Sequence, residues 1–414
     1  MSPALRSVAD LRATMGAYYR SLGDAVERKS APVAWCSSVG PAELLRALGF
    51  AVFFPENHAA MLGAGRRAND VMPRAHALGY SQDICSYLTS DIGAFLGEET
   101  PLADFGVPRT PKADVLVFNT NQCRDVREWF EFYGRRWNVP VVGVRSPRYL
   151  EEVRDSDVSA VATQLEALLP PLEAVAGRRL AAGELEAAVR ASRYCSELWR
   201  ACLETAAQRP APLTFFDGTI HMGPAVVLRG SEAACAYYRL LLGELEERVR
   251  AGVAAVPGET VRIYWEGMPI WGRLRALATW FSEFRVAVVA STYCNSWIFS
   301  ALDPADPIGS MARSSLELFI VRSEEPKQRY IERMAALYGV DGILFHDCKT
   351  CPNNSNTRYG MPRRLTEHLG IPTLVIDGDV NDLRCFSEEQ SRTNIEGFVE
   401  LLADRRSPLA ARLP

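Results

Sequence analysis

The sequence predicts an α/β protein in which two parallel-sheet domains are joined by a helical region. Two groups of short apolar segments carry this prediction, because each segment is followed by a helix-like stretch and such alternation is typical of parallel sheets. Between the two groups lies a long stretch rich in Ala, Leu, Glu and Arg at helical spacing. The chain has 414 residues, which is enough for two or three domains with full hydrophobic cores.

The first group of apolar segments predicts an N-terminal α/β domain over residues 1–150. Its segments are APVAW (31–35), AVFFPE (51–56), ADVLVFNT (113–120) and PVVGV (140–144). They are rich in the β-branched and aromatic residues that favour buried strands. The first twenty residues mix charged and apolar side chains in the pattern of an amphipathic helix. We therefore expect one helix and then four strands in this domain.

The second group predicts a C-terminal α/β domain over residues 258–414, after a helical region over residues 151–257. Its segments are VRIYWE (261–266), FRVAVVAST (284–292), DGILFH (341–346) and PTLVID (372–377). Helix-like stretches again separate these segments. The boundary between the helical region and this domain rests on the Pro257-Gly258 pair, since Pro and Gly mark turns.

Composition and charge exclude several classes of protein. Charged residues make up 23% of the chain and the formal net charge is −4, so no basic surplus is present to bind a nucleic-acid backbone. No apolar run reaches the roughly 18 residues of a membrane span, and the first residues lack the apolar segment of a secretion signal. We therefore expect a cytoplasmic protein with no nucleic-acid or membrane partner, whose ten cysteines are reduced.

The cysteines fall into two sets on this framework. Three lie in the helical region among apolar residues, where cysteine behaves as a small hydrophobic residue; these are Cys195, Cys202 and Cys235. Most of the others follow a predicted strand or open the next helix; these are Cys36, Cys85, Cys123, Cys294, Cys348 and Cys351. The carboxyl ends of parallel strands line one crevice, and helix N-termini there favour thiolates. This convergence indicates a soft-ligand metal site or an iron–sulfur site.

The spacing of the cysteines does not by itself identify the metal. The segment from Cys348 to Cys351 is a single CxxC pair, compatible with zinc, with a redox pair, or with one cluster ligand beside a bystander. A zinc ribbon needs a second such pair, which the sequence lacks. Neither Lys29-Ser30 nor Lys349-Thr350 follows the glycine pattern of a phosphate-binding loop, so the chain is not predicted to hydrolyse ATP itself.

Two further residues are candidate catalytic groups. His346 ends a predicted strand just before the CxxC pair. Two interpretations are open: a group for hydrogen bonding or proton transfer at the site, or an ordinary strand-end histidine. Glu266 ends another strand among aromatic residues, and a carboxylate there needs a partner or serves chemistry. The aromatic stretch that continues to Trp271 predicts the wall of a water-excluding pocket, or else core packing at a strand-to-helix turn.

Four segments together resemble the 2-hydroxyacyl-CoA dehydratase and benzoyl-CoA reductase family. They are CSSVGPAE from Cys36 leading into LLRALGF, CSY from Cys85, NTNQCRD around Cys123, and the block from FHDCKTC through GIPTLVIDGDVNDLRCFSEEQSRTNIEGFVELL. Each motif is loose, but their order and spacing are specific and extend over nearly the whole chain. The resemblance implies two flavodoxin-like (Rossmann-like) domains with a helical part.

The resemblance also implies a [4Fe-4S] cluster between the domains, held by three cysteines, with one iron open to the substrate. Cys85 and Cys123 match two of the family's ligands. The third ligand is Cys351 or Cys348, and the spacing from His346 in the family's pattern favours Cys351. Cys36 remains a further cofactor-binding candidate because its segment is part of the resemblance.

The family's chemistry implies a substrate that is an acyl-CoA or aryl-CoA thioester. In that family a separate ATP-hydrolysing iron–sulfur activator delivers one low-potential electron and a ketyl radical forms. The resemblance therefore implies (R)-2-hydroxyacyl-CoA dehydration or benzoyl-CoA-type ring reduction. A homologous second subunit, in a heterodimer or a homodimer, completes the enzyme. The alternative is a non-catalytic electron-relay or scaffold subunit, which a fourth cysteine close to the iron (Cys36, Cys294 or Cys348) would favour.

Overall fold

The first sheet of the protein consists of four parallel strands. The computed structural model describes residues 5–406. The strands are β1 (Val33–Cys36), β2 (Ala51–Phe53), β3 (Val115–Asn119) and β4 (Val141–Val144). They lie in the order β2-β1-β3-β4, with Trp35 level with Phe53 on one side and with Leu116 on the other. Every residue of β1 and β3 is buried, as is typical of parallel strands covered on both faces.

Six α-helices belong to this part of the described chain. They are α1 (Val8–Arg28), α2 (Ala42–Ala47), α3 (Pro55–Ala64), α4 (Ala68–Ala77), α5 (Ser86–Leu96) and α6 (Asp125–Trp137). Two glycines allow these elements to approach closely. A Cβ on Gly93 of α5 would lie 2.1 Å from the Val71 carbonyl oxygen of α4, and one on Gly134 of α6 would lie 2.2 Å from the Val141 side chain of β4.

The stretch between the two sheets is helical. Its helices are α7 (Asp155–Ala176), α8 (Glu184–Glu204), α9 (Phe215–His221), α10 (Gly223–Val227) and α11 (Glu232–Ala251). Helices α8 and α11 pack together and bury Cys195, Cys202 and Cys235 between apolar side chains. The Cys202 thiol donates to the Tyr238 carbonyl oxygen at 3.8 Å, so these cysteines act as core residues.

The second sheet repeats the parallel arrangement. Its strands are β5 (Val261–Glu266), β6 (Val286–Ser291), β7 (Gly342–Cys348) and β8 (Thr373–Gly378), in the order β6-β5-β7-β8. Its helices are α12 (Leu274–Glu283), α13 (Thr292–Asn295), α14 (Pro307–Glu317), α15 (Glu324–Tyr338), α16 (Met361–Leu369) and α17 (Glu388–Arg406). Among residues 5–406, no helix combines the length and apolar character of a membrane span.

The two four-stranded parallel sheets confirm the predicted α/β class with two flavodoxin-like domains. All eight predicted strands are present at the predicted places in the chain. The domain boundaries remain predictions. Contacts between the predicted domains cross them. Glu244 of α11 accepts a hydrogen bond from the Ser7 backbone N–H at 2.9 Å, and Leu150 pairs with Arg322 in an isolated parallel bridge.

Candidate active site

A cavity of about 480 Å³ lies where the carboxyl ends of the two sheets meet. Its lining includes residues that closely follow six strands: Ser38, Glu56, Cys123, Met268, Thr292 and Cys351. Ligands of open parallel sheets bind at this edge, because the loops after the strands converge there. The volume and the mostly apolar lining suit a small organic group.

Three of the predicted ligand cysteines meet in this cavity. Cys85 precedes α5, Cys123 precedes α6, and Cys351 follows β7, so both sheets contribute. Burial raises the pKa of Cys85, and the charges of Cys123 and Cys351 raise it further, which places the three sulfurs within electrostatic reach of one another. Of the cysteines in residues 5–406, these three alone line the cavity.

Each of the three thiols sits at the start of a helical turn. Burial raises the pKa of Cys123 to about 12 and that of Cys351 to about 11. The backbone N–H three residues later opposes this rise in every case, at Leu88, Val126 and Asn354. Such amides stabilise negative charge on sulfur, so the local backbone favours the thiolate that a metal needs.

The other two cysteine candidates lie outside the cavity. Cys348 is buried at the end of β7, and its thiol donates to Asp379 Oδ2 at 3.6 Å. Cys36 is buried at the end of β1 against Gly40, where a Cβ would lie 2.8 Å from the Cys36 sulfur. Burial raises the pKa of both thiols. Position in the cavity therefore favours Cys351 over Cys348 as the predicted third ligand.

Asp379 connects the loops that carry two of the cavity cysteines. Its carboxylate, in the loop after β8, accepts from Thr350 through the backbone N–H at 2.9 Å and the hydroxyl at 2.6 Å. It also accepts from the Ser86 hydroxyl, and the Ser86 N–H donates to Thr350 Oγ1 at 3.1 Å. Ser86 follows Cys85 directly, and Thr350 precedes Cys351. This buried network thus holds the two cysteines in register across the domains.

We expect Asp379→Ala to destabilise the protein by roughly 3 kcal/mol, because buried donors lose their acceptor. These donors include the backbone N–H groups of Thr350, Asn381 and Asp382. Denaturant unfolding measures the change in free energy. Asp377→Ala is the matched control, since Asp377 is exposed on the same segment, and it should change stability by less than about 0.5 kcal/mol. Equal stability of the two variants would contradict the role of Asp379.

Glu56, which was not predicted as a site residue from the sequence, places a carboxyl group in the cavity. It is the second residue of α3 and only 8% exposed. Its Oε1 accepts from the Ser38 N–H at 3.0 Å and from Gln122 Nε2 at 3.4 Å, and its Oε2 is buried without a partner in the described residues. Burial raises the pKa of Glu56 to about 7. Such a group can exchange a proton near neutral pH.

Aromatic side chains from both domains form part of the cavity wall. Trp271 donates its indole N–H to the Tyr87 hydroxyl, and its ring centroid lies 6.3 Å from that of Tyr293. Within the predicted aromatic stretch, Tyr264 and Trp265 are instead core residues. The stretch therefore contributes both to the core and to a wall that limits the access of water.

His346 and Glu266 lie behind the cavity wall rather than in it. Ring Nδ1 of His346 donates to the Met268 carbonyl oxygen at 2.6 Å, and burial lowers the pKa of the ring. The ring therefore holds a loop that lines the cavity. Glu266 accepts from Asn356 Nδ2 at 2.6 Å and from the hydroxyl of Thr292, a lining residue. Direct catalytic roles for the two residues remain predictions.

We expect Glu266→Gln to flatten the pH dependence of stability. Burial raises the pKa of Glu266 from 4.5 to about 7. Between these values the folded protein binds more protons than the unfolded chain, so the stability from this group falls as pH rises. In the variant, the decrease of the free energy of unfolding with pH should be smaller by roughly 1 kcal/mol per pH unit. Thermal unfolding from pH 5 to 8 measures it. The exposed Glu389→Gln is the control, and an unchanged slope in Glu266→Gln would contradict the assignment.

The donors around the cavity fit an iron–sulfur cluster. Iron–sulfur clusters use thiolates on different irons, so their ligands surround a volume rather than one point. In the described chain, no three His, Cys, Asp or Glu side chains are placed to hold a single metal ion. The three cavity thiols instead border a shared space. Within residues 5–406, no fourth cysteine lines this space.

Comparison with known proteins identifies the family. A family model described as 2-hydroxyglutaryl-CoA dehydratase, D-component, matches residues 37–402, which begin directly after β1 and include the other seven strands and the three cavity cysteines. The chain belongs to this D-component family. The matched residues of this chain include the three thiols, Asp379 and Glu56.

Several proteins are similar to this D-component chain over about nine-tenths of both lengths. The (R)-phenyllactyl-CoA dehydratase alpha subunit of Clostridium sporogenes is 29% identical, covering 90% of each chain. The (R)-2-hydroxyisocaproyl-CoA dehydratase alpha subunit of Clostridioides difficile is 28% identical, covering 91% of each. One of the benzoyl-CoA reductase subunits of Thauera aromatica is 27% identical, covering 88% of this chain and 87% of its own. These relatives are subunits of enzymes with CoA thioesters in their names.

Proposed function

We propose that this chain is the catalytic iron–sulfur subunit of an enzyme that acts on a CoA thioester. Cys85, Cys123 and Cys351 would hold a [4Fe-4S] cluster. The observation that carries the proposal is the meeting of three thiols from both sheets in one largely apolar cavity. The similarity to two dehydratase alpha subunits and to a subunit of benzoyl-CoA reductase supports the thioester substrate.

The bound cluster would supply one low-potential electron and an open iron that acts as a Lewis acid on the thioester carbonyl. The chain's own residues supply the rest. Tyr87, Trp271 and Tyr293 limit the access of water to the reacting group. The Ser38 N–H and the Gln122 amide bind Oε1 of Glu56, which leaves Oε2 as the atom free to take a proton.

Dehydration of an (R)-2-hydroxyacyl-CoA is the reaction that this arrangement supports best. Loss of water removes the hydroxyl from one carbon and a proton from the next, so the site needs a base near neutral pH. Glu56 meets this need, because it lines the cavity and burial raises its pKa to about 7. A benzoyl-CoA-type ring reduction is the second candidate, supported by the aromatic wall and by the reductase relative.

The non-catalytic alternative, an electron relay or scaffold, would need a cluster with four protein ligands. Cys36, Cys294 and Cys348 are the nearby cysteines that such a cluster would recruit. None of them lines the cavity in the described residues, which favours the catalytic function. The relatives are named as subunits, which supports a second subunit for this chain. We further propose that this subunit is homologous, that the enzyme is cytoplasmic, and that a separate ATP-hydrolysing iron–sulfur activator delivers the electron.

The test is turnover by the anaerobically purified chain with its partner subunit and an ATP-dependent activator. The substrate panel contains (R)-2-hydroxyacyl-CoA thioesters with alkyl and aryl side chains, together with benzoyl-CoA. Mass spectrometry should show loss of one water from a hydroxyacyl thioester. Gain of two hydrogens by benzoyl-CoA alone would favour the second candidate. An activated protein that changes no thioester would contradict the proposal.

A further inference from the structure

A second cavity, of about 660 Å³, adjoins the first and differs from it in character. The two cavities share Ser296 and Leu318 in their linings. The second is formed by parts of α8, α14 and α15 together with the segment after β6. Four arginines line it: Arg200, Arg322, Arg329 and Arg333. We call it the arginine cavity.

Two of these arginines are held by neighbouring groups. Arg322 donates to the Leu150 carbonyl oxygen at 3.1 Å and to the Glu151 carbonyl oxygen at 2.8 Å. Arg329 pairs with the Glu151 carboxylate at 3.3 Å and with Glu325. These contacts fix the two side chains at the cavity rim, where their charge contributes to the local field.

The other two arginines retain most of their donors. Arg200 donates to Ser300 Oγ at 2.6 Å, and the Arg333 guanidinium lies 5.7 Å from the centre of the Tyr330 ring. Within residues 5–406, neither forms an ion pair with a carboxylate. Burial raises the pKa of Tyr330, and the positive charges of Arg200 and Arg333 oppose this rise, so both guanidinium groups lie within electrostatic reach of the Tyr330 side chain. A guanidinium has five N–H donors, so each can still bind an anion.

The carboxylates near the cavity leave Arg200 and Arg333 without an ion-pair partner in the described residues. Glu151 and Glu325 pair with Arg329, and of the two carboxylates in the lining, Glu204 and Glu317, the second lies 3.8 Å from Arg313. Aromatic rings lie beside the cations, since the Phe319 and Tyr330 centroids are 5.4 Å apart and both residues line the cavity. Cations beside aromatic surface suit a ligand that combines phosphates with a flat base.

We propose that the arginine cavity binds the phosphorylated nucleotide end of coenzyme A, with Arg200 and Arg333 contacting phosphate oxygens. The acyl group of the same thioester then lies in the first cavity, beside the three thiols. The shared lining at Ser296 and Leu318 is the passage between the two ends of the substrate. This inference rests on the proposed function in taking the substrate to be a CoA thioester.

The test is calorimetric titration of the full chain with CoA, with adenosine 3′,5′-bisphosphate and with pantetheine. Arg200→Glu and Arg333→Glu should each weaken binding of CoA and of the bisphosphate at least tenfold, and leave pantetheine binding unchanged. Arg363→Glu is the matched control, because Arg363 is exposed on α16 away from the cavity lining. Arg333→Gln, which removes the charge without reversing it, repeats the test in a milder form.

The outcomes separate this inference from the proposed function. If the wild-type chain binds CoA and the cavity variants bind it equally well, the arginine cavity is not the nucleotide site, although the proposed function stands. If the wild-type chain binds neither CoA nor the bisphosphate, and no thioester is turned over, both are wrong. The assignment is supported if bisphosphate binding weakens in the Arg200 and Arg333 variants and stays unchanged in Arg363→Glu.

Discussion

Substitution of Cys85, Cys123 or Cys351 by serine should abolish retention of iron in the anaerobically purified protein. The wild-type chain should carry about four irons and four sulfides, as one cubane cluster requires. Each variant would leave the cluster with only two of its three protein ligands. Iron and sulfide analysis, with the visible absorbance that dithionite bleaches, measures the effect.

Two further cysteine variants serve as controls for this prediction. Cys195→Ser should keep its iron, because Cys195 is buried in the helical region and does not line the cavity. Cys348→Ser should also keep its iron, because its thiol faces Asp379. Loss of iron in Cys348→Ser with retention in Cys351→Ser would reverse the choice of the third ligand. A colourless, zinc-containing wild-type protein would contradict the cluster altogether.

Replacement of Glu56 by glutamine should lower the turnover rate by about 10²- to 10⁴-fold and leave the iron content unchanged, the range expected for loss of a general base. Glutamine keeps the shape of the side chain and its contacts with Ser38 and Gln122, but it cannot accept a proton. The Michaelis constant should change little, because the variant alters proton transfer rather than binding.

The pH profile distinguishes this role from a structural one. Burial raises the pKa of Glu56 to about 7, and a base must be ionised, so the wild-type rate should rise with pH through this value. The rising limb should be absent in Glu56→Gln. Glu266→Gln is the comparison, since burial raises the pKa of Glu266 to a similar value although it lies behind the wall. If Glu266→Gln loses activity by this factor while Glu56→Gln stays active, Glu266 rather than Glu56 is the base.

The strands and the cavity cysteines were predicted on different grounds. Apolar strand segments are visible as local patterns, and parallel strands bring the residues that follow them to one edge, which predicted that several cysteines converge there. The choice of Cys85, Cys123 and Cys351 among them rested on the resemblance to the dehydratase and reductase family, since Cys85 opens a helix and follows no strand directly. The sequence predicted helix N-termini that favour thiolates, and the structure identifies the N–H groups as those of Leu88, Val126 and Asn354.

Residues whose role depends on packing between distant elements could not be predicted in this way. In the sequence Glu56 is the last residue of the predicted strand segment AVFFPE (51–56), whereas the structure ends β2 at Phe53 and places Glu56 in the first turn of α3. Its significance comes from burial and from an Oε2 atom without a partner in the described residues. A carboxylate at the end of a strand segment was the available signal. His346 lies behind the wall, where the carbonyl oxygen of Met268, a lining residue, accepts a hydrogen bond from its ring. The pairing of Trp271 with Tyr87 likewise joins the two domains.

The most direct test of the account is Mössbauer spectroscopy of the wild-type protein, enriched in a suitable iron isotope and purified without oxygen. Three protein thiolates and one open position predict one iron with parameters distinct from the other three, about a quarter of the signal. Addition of a substrate CoA thioester should shift the signal of that iron alone. Four equivalent irons that do not respond to any thioester would contradict the proposed catalytic cluster.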